Sequence, residues 1–315
     1  MEIPELRELA KRTRASREMG IALLTASIIL ALFLFVPLAR DARPAPVAAA
    51  STTPDAFDSL PPLTAKAAIV YDLATGATLY AKNAEAQLPL ASLTKLLTVY
   101  AALSELSPDT PITIPADVMG LSAPHAFAPG ETLALADLAR LTLTASLNDG
   151  AAAIAEATAL RAHTDQISML AGAAAALDLP QTYALNGSGL DVSTQISGGY
   201  GSARDLARLA GALVEKAPEI AYATTGSSAS ATAANGTRFT VKNTDPIAGT
   251  VPRLLLSKTG YTDLAGGNLA LVFDAALNHP VAVVVLGSTQ NARFTDGMAL
   301  VAAALAHYAG VATLK

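Results

Sequence analysis

Three short strings along this chain hold side chains suited to acyl transfer. Ser92-Leu93-Thr94-Lys95 sets a hydroxyl and an amine three residues apart. On a helix those positions share a face, so Lys95 Nζ can approach Ser92 Oγ. A serine hydroxyl is a weak nucleophile until a neighbouring base takes its proton. A lysine becomes such a base once burial or a nearby cation lowers its pKa. Pro89 and Leu90 precede the pair, which puts Ser92 at a helix start. Backbone N–H groups there favour a developing oxyanion.

The second string is Ser146-Leu147-Asn148. A hydroxyl donates and accepts, so Ser146 can relay a proton between a lysine and a leaving amine. Asn148 can hold Lys95 and accept from a substrate amide. The third string, Lys258-Thr259-Gly260, ends the apolar strand 254–257. A cation and a hydroxyl suit a terminal carboxylate. Gly260 lets a substrate backbone come close. The backbone N–H groups of Tyr261 and Ser92 are candidate oxyanion donors. Lys258 also favours the neutral form of Lys95. Each string alone has a plainer reading. Ser92 could cap a helix beside a solvated Lys95, residues 146–150 could be turn chemistry, and residues 258–260 a solvated strand end with a glycine turn.

Elements must position these groups. Residues 67–72 and 77–80, about a Thr75-Gly76 turn, read as a hairpin. Helices are expected over 92–103, 134–145, 149–160 and 202–215, the last capped by Ser202 and ended before Pro218. Apolar strands follow over 253–258, 268–274 and 281–287, then a helix over 291–309. Consecutive strands joined by short turns predict an antiparallel sheet with helices packed on it, an α+β fold.

The chain has 315 residues, 52% hydrophobic and 15% charged, enough for a sizeable core. A net charge of -5 argues against a nucleic-acid partner. There is no cysteine, so disulfides and thiolate metal sites are excluded. His125, His163, His279 and His307 are scattered and form no His-Glu-x-x-His pattern. The chemistry above needs neither metal nor cofactor. Residues 20–39 carry no charge and are long enough to span a bilayer as a helix. Lys11, Arg12, Arg14 and Arg17 precede them, which places residues 1–19 in the cytoplasm. A cleaved signal peptide, cut within 45–50, is the rival reading. Residues 40–64, rich in Pro and Ala, read as a linker, and 65–315 as one catalytic domain outside the membrane.

Taken in order, the three strings form the pattern shared by penicillin-binding proteins and serine β-lactamases. The chain most resembles the low-molecular-mass penicillin-binding proteins, the serine D-Ala-D-Ala carboxypeptidases of peptidase family S11. The stretches 89–98 and 145–152 are similar to the family's first and second motifs. Thr182, Asn186, Gly189 and Leu190 fit a Thr-x-x-x-Asn-x-x-Gly-Leu segment, and Lys258-Thr259-Gly260-Tyr261-Thr262 with Ala265-Gly266 fits the third motif. The resemblance covers about residues 65–310. It implies a β-lactamase/transpeptidase-like fold, a five-stranded antiparallel sheet flanked by helices with a helical subdomain. It implies Ser92 as nucleophile, Lys95 as base, Ser146 as relay, Asn148 as a lysine and substrate contact, and Lys258 and Thr259 as carboxylate ligands. Its implied partners are a peptidoglycan stem peptide ending in D-Ala-D-Ala and β-lactams as covalent inhibitors. Many relatives attach to the membrane through a C-terminal amphipathic helix; here the N-terminal helix is expected to do so. Leu147 is bulkier than the family's usual residue there, which would reshape the leaving-group side of the cleft.

A class A β-lactamase shares the strings but carries a deacylating glutamate, and Thr182 stands at that position. A D,D-endopeptidase and a catalytically inactive peptidoglycan-binding scaffold also fit the strings.

Overall fold

The computed structural model describes residues 13–14, 17–27 and 56–310, and the chain divides into two compact units, Met1–Thr52 and Thr53–Lys315. In the first, residues 17–27 are helical and exposed. The rest of the expected anchor, 28–39, lies outside the described residues, as do most of the cytoplasmic segment and of the linker. No helix among the described residues is long and apolar enough to cross a membrane.

The second unit is built on strands β1 (Ala67–Asp72), β2 (Thr78–Lys82), β3 (Leu254–Thr262), β4 (Gly266–Ala276) and β5 (His279–Ser288). They form one sheet in the order β3-β4-β5-β1-β2, antiparallel throughout. Between β2 and β3 run helices α1 (Thr94–Glu105), α2 (Leu135–Ala145), α3 (Asn148–Arg161), α4 (Gln166–Ala176) and α5 (Ala203–Lys216); α6 (Ala292–Tyr308) closes the chain.

Successive strand side chains point to opposite faces, and both faces are covered. Ile69, Leu256, Val272 and Val284 share one core with Leu96, Leu138 and Leu209 of the helical middle. Val70, Leu271, Phe273 and Val283 share the other with Leu300 and Val301 of α6. This is why the strands read as unbroken apolar runs. Phe57 packs into the second core, so part of the stretch expected as linker belongs to the second unit.

Several elements differ from expectation. β3 continues four residues past Lys258, because Thr259–Thr262 pair with Leu269–Gly266; the third string lies inside a strand rather than at its end. Helix α4 has no counterpart among the expected helices, although Asp165 caps it by accepting from Ser168 N at 2.9 Å. A hairpin of Ser228–Thr232 and Arg238–Lys242 is built largely from small residues, which carry a weak strand signal.

Candidate active site

Ser92 lies in a 3₁₀ turn, Ala91–Leu93, that leads into α1. The chain entering this turn is tied to the sheet: Asn268 of β4 donates its Nδ2 to the Pro89 carbonyl at 3.0 Å. Ala91 has φ +48°, a left-handed conformation that costs about 1–3 kcal/mol in a residue with a Cβ. Gly189 packs against that turn. With φ +75°, its absent Cβ would stand 2.0 Å from the Ala91 carbonyl oxygen, so no other residue fits.

Lys95 is wholly buried. Its Nζ lies 2.8 Å from Ser92 Oγ, 2.8 Å from Asn148 Oδ1 and 2.7 Å from the Ser188 carbonyl oxygen. Asn148 is oriented by its other end, where Nδ2 donates to the carbonyls of Ser122 and Ala123. Burial holds the Lys95 pKa well below the ordinary lysine value, and the charge of Lys258 lowers it further, against a smaller opposing pull from Asp149. The plainer reading of a capping Ser92 beside a solvated Lys95 does not hold.

A second network stands opposite. Lys258 Nζ donates to Ser146 Oγ at 2.9 Å and to the Thr259 carbonyl at 2.7 Å. Burial lowers the Lys258 pKa to about 7, with help from Arg293 and opposition from Asp245. Ser146 sits between α2 and α3 in a left-handed conformation, φ +59°. Thr259 Oγ1 shares a 2.6 Å hydrogen bond with Thr244 Oγ1. Gly260 joins the two networks: a Cβ there would be 2.9 Å from the Leu90 carbonyl oxygen and 3.2 Å from Ser92 N, so β3 reaches the serine turn only as glycine. Tyr261 is exposed and lines a cavity of about 660 Å³, together with Ser122, Ser188, Asp191 and Thr262.

Several contributors were invisible as motifs. Ser188 acts through its backbone, held by Asn186, whose Oδ1 accepts from Ser188 N and Gly189 N. Asp149 Oδ2 accepts from Ala126 N and Phe127 N, fixing the cavity-side loop. Arg293, from α6, donates to the Gly260 carbonyl. The only sequence signal for them is that Ser188 and Asp149 neighbour residues that did stand out. Leu147 is buried in the first core. Thr182 donates to Asp205 at 2.8 Å, a bond between packed segments.

A five-stranded antiparallel sheet, with a serine–lysine pair in a helix-entry turn beside its edge strand, defines the β-lactamase/transpeptidase class of folds. The sequence pattern of the D-alanyl-D-alanine carboxypeptidase family matches residues 53–290, and the chain belongs to that family. It is 32% identical over 200 residues to D-alanyl-D-alanine carboxypeptidase DacC of Escherichia coli (strain K12), covering 60% of this chain and 46% of that relative. The chain thus matches less than half the length of that relative. Among solved structures, ampicillin-bound penicillin-binding protein D2 from Listeria monocytogenes is 28% identical with a TM-score of 0.65, covering 77% of this chain and 98% of that one. The Streptomyces K15 DD-transpeptidase, at 23% identity, shares the fold with a TM-score of 0.69 over 79% of this chain and 99% of its own.

Proposed function

We propose that this chain is a serine D-alanyl-D-alanine carboxypeptidase that cleaves the terminal D-Ala from peptidoglycan stem peptides through an acyl-enzyme on Ser92. The observation that carries this reading is the set of partners around Lys95 Nζ. A neutral amine has two N–H bonds and one lone pair. Asn148 Oδ1 and the Ser188 carbonyl only accept, so they take the two N–H groups. The lone pair is left facing Ser92 Oγ, 2.8 Å away. Burial favours the neutral form.

The reaction follows from these placements. Lys95 takes the Ser92 proton as Oγ bonds to the substrate carbonyl carbon, and the N–H groups of Ser92 and Tyr261 receive the oxyanion. Ser146, already accepting from Lys258, relays the proton: it gives its own to the leaving amine as the C–N bond breaks and takes in its place the one Lys95 removed from Ser92. Lys258 and Thr259 bind the terminal carboxylate. Water then cleaves the ester. A β-lactam presents a similar carbonyl and carboxylate, and opening its ring leaves the acyl group on Ser92. The missing glutamate at Thr182 argues for slow release of that adduct.

The site is placed outside the cytoplasmic membrane, with residues 20–39 as anchor. This rests on the uncharged run and the basic flank before it.

Fluorescent penicillin tests the nucleophile: it labels the wild type and leaves Ser92→Ala unlabelled. Label that persists in Ser92→Ala removes Ser92 from this role. Product analysis on a pentapeptide ending in D-Ala-D-Ala should find released D-Ala. Cleavage confined to cross-linked peptides would assign an endopeptidase instead, and rapid nitrocefin turnover a β-lactamase.

A further inference from the structure

Arg293, at the start of α6, has no part in the roles above, yet it is only 7% exposed. Its Nη1 donates to the Gly260 carbonyl oxygen at 2.6 Å. Its Nε is buried without a hydrogen-bond partner, and none of the ion pairs among the described residues includes it. Its guanidinium lies 4.6 Å from the Phe294 ring centroid. Asp245 acts on it only through space. Burying a guanidinium without a paired carboxylate is costly, so this placement needs a reason.

The reason lies in the peptide it touches. Gly260 and Tyr261 share a trans peptide, whose C=O and N–H point in opposite directions. β3 is an edge strand with only β4 beside it. Gly260 presents its carbonyl to Arg293, from the helix that packs on β4 and β5, so Tyr261 N–H points the other way, toward the open edge. The serine turn packs on the same residue: a Cβ on Gly260 would stand 3.2 Å from Ser92 N. A cation on an amide oxygen draws electron density through the amide and strengthens the N–H as a donor.

We propose that Arg293 is a positioning residue that fixes and polarises the Gly260–Tyr261 peptide, so that Tyr261 N–H better stabilises the oxyanion of acyl transfer. This rests on the reading of Ser92 as nucleophile. Arg293 touches no reacting atom. When Ser92 Oγ bonds to the carbonyl carbon, the carbonyl π pair moves onto oxygen. Arg293 acts on that charge through one amide.

The test uses the full chain, wild type and Arg293→Ala, Arg293→Lys and Arg293→Gln, with a slowly released penicillin. Three quantities are read: the acylation rate constant, the dissociation constant of the complex before acylation, and the infrared stretching frequency of the acyl-ester carbonyl. Deleting an oxyanion donor outright costs about 100–1,000-fold, so weakening one should slow acylation about 10–100-fold in Arg293→Ala. The dissociation constant should stay within about twofold, since the effect belongs to the transition state. The ester band should move to higher frequency. Arg293→Lys, a cation that can still donate, should recover most of the rate and band position, with Arg293→Gln between. An ester band unmoved by these substitutions would overturn the proposal, as would a loss confined to the dissociation constant, which would make Arg293 a carboxylate ligand. Should Arg293→Ala fail to fold, the Lys and Gln variants carry the same comparison. An ester band absent from the wild type would overturn the Ser92 reading itself.

Discussion

At the scale of the residue, the proposed reaction asks opposite protonation states of two buried lysines: Lys95 neutral as the base, Lys258 charged as a carboxylate ligand. Burial lowers both pKa values, and a cationic Lys258 lowers that of Lys95 further. The signs give a bell-shaped profile. As pH falls through the lowered pKa of Lys95, the amine is protonated and acylation slows. As pH rises past about 7, Lys258 loses its charge and the substrate carboxylate loses its partner. A bound carboxylate stabilises the charged form, so on the alkaline side KM should rise more than kcat falls. Steady-state kinetics across about pH 5–9 check this, and a KM that improves with pH would take Lys258 out of substrate binding. Lys95→Ala should fold yet acylate about 100–10,000-fold more slowly, read by the rate of penicillin labelling.

At the scale of the element, the proposed catalytic groups come from the serine turn and α1, the α2–α3 junction and β3. Their registration depends on close backbone approach. Gly260→Ala would press a methyl against Leu90 O and Ser92 N and move the serine turn away from β3. A shift near 1 Å costs about 100-fold, so acylation should fall by about that factor, with β-sheet content unchanged by circular dichroism. Wild-type acylation in this variant would show that β3 and the turn need not touch. Far from the site, buried Asp72 ties the end of β1 to β5 and α6, accepting from Thr75 Oγ1 at 2.7 Å and from His279 Nε2 and Tyr308 OH at 2.8 Å each. Burial alone would raise its pKa, but these bonds outweigh that and hold it below the usual carboxylate range. A depressed folded pKa contributes stability that is full above about pH 4 and lost as pH falls toward the folded value. Asp72→Asn should therefore destabilise by about 1–3 kcal/mol at neutral pH, and by less in acid. Urea unfolding at both pH values checks it; a gap that widens in acid would refute the carboxylate's role.

At the scale of the whole molecule, Met1–Thr52 and Thr53–Lys315 are two compact units, and the proposed site lies within the second. A fragment beginning at residue 53 should be soluble and label with penicillin at the rate of the full chain, while the full chain sediments with membranes and resists carbonate extraction. A full chain recovered in the soluble fraction would remove the anchor from the proposal. A fragment beginning at residue 65 should be less stable, because it lacks the Phe57 side chain that fills the second core.

The sequence by itself determined the candidate reacting groups, their order and the kind of elements that carry them. Ser92, Lys95, Ser146 and Lys258 are distinctive side chains, and period-two and helical apolar patterns span several residues each. Only the tertiary structure decided what a single chain position cannot encode. The Ser188 contribution is a backbone carbonyl, which any residue supplies. Arg293 reaches Gly260 from a helix 33 residues further along the chain. The lysine pKa values are lowered because packing removes the amines from water, and no local pattern around Lys95 or Lys258 states that burial. The three opening strings became one site when β3, extended past Lys258, met the serine turn at a glycine.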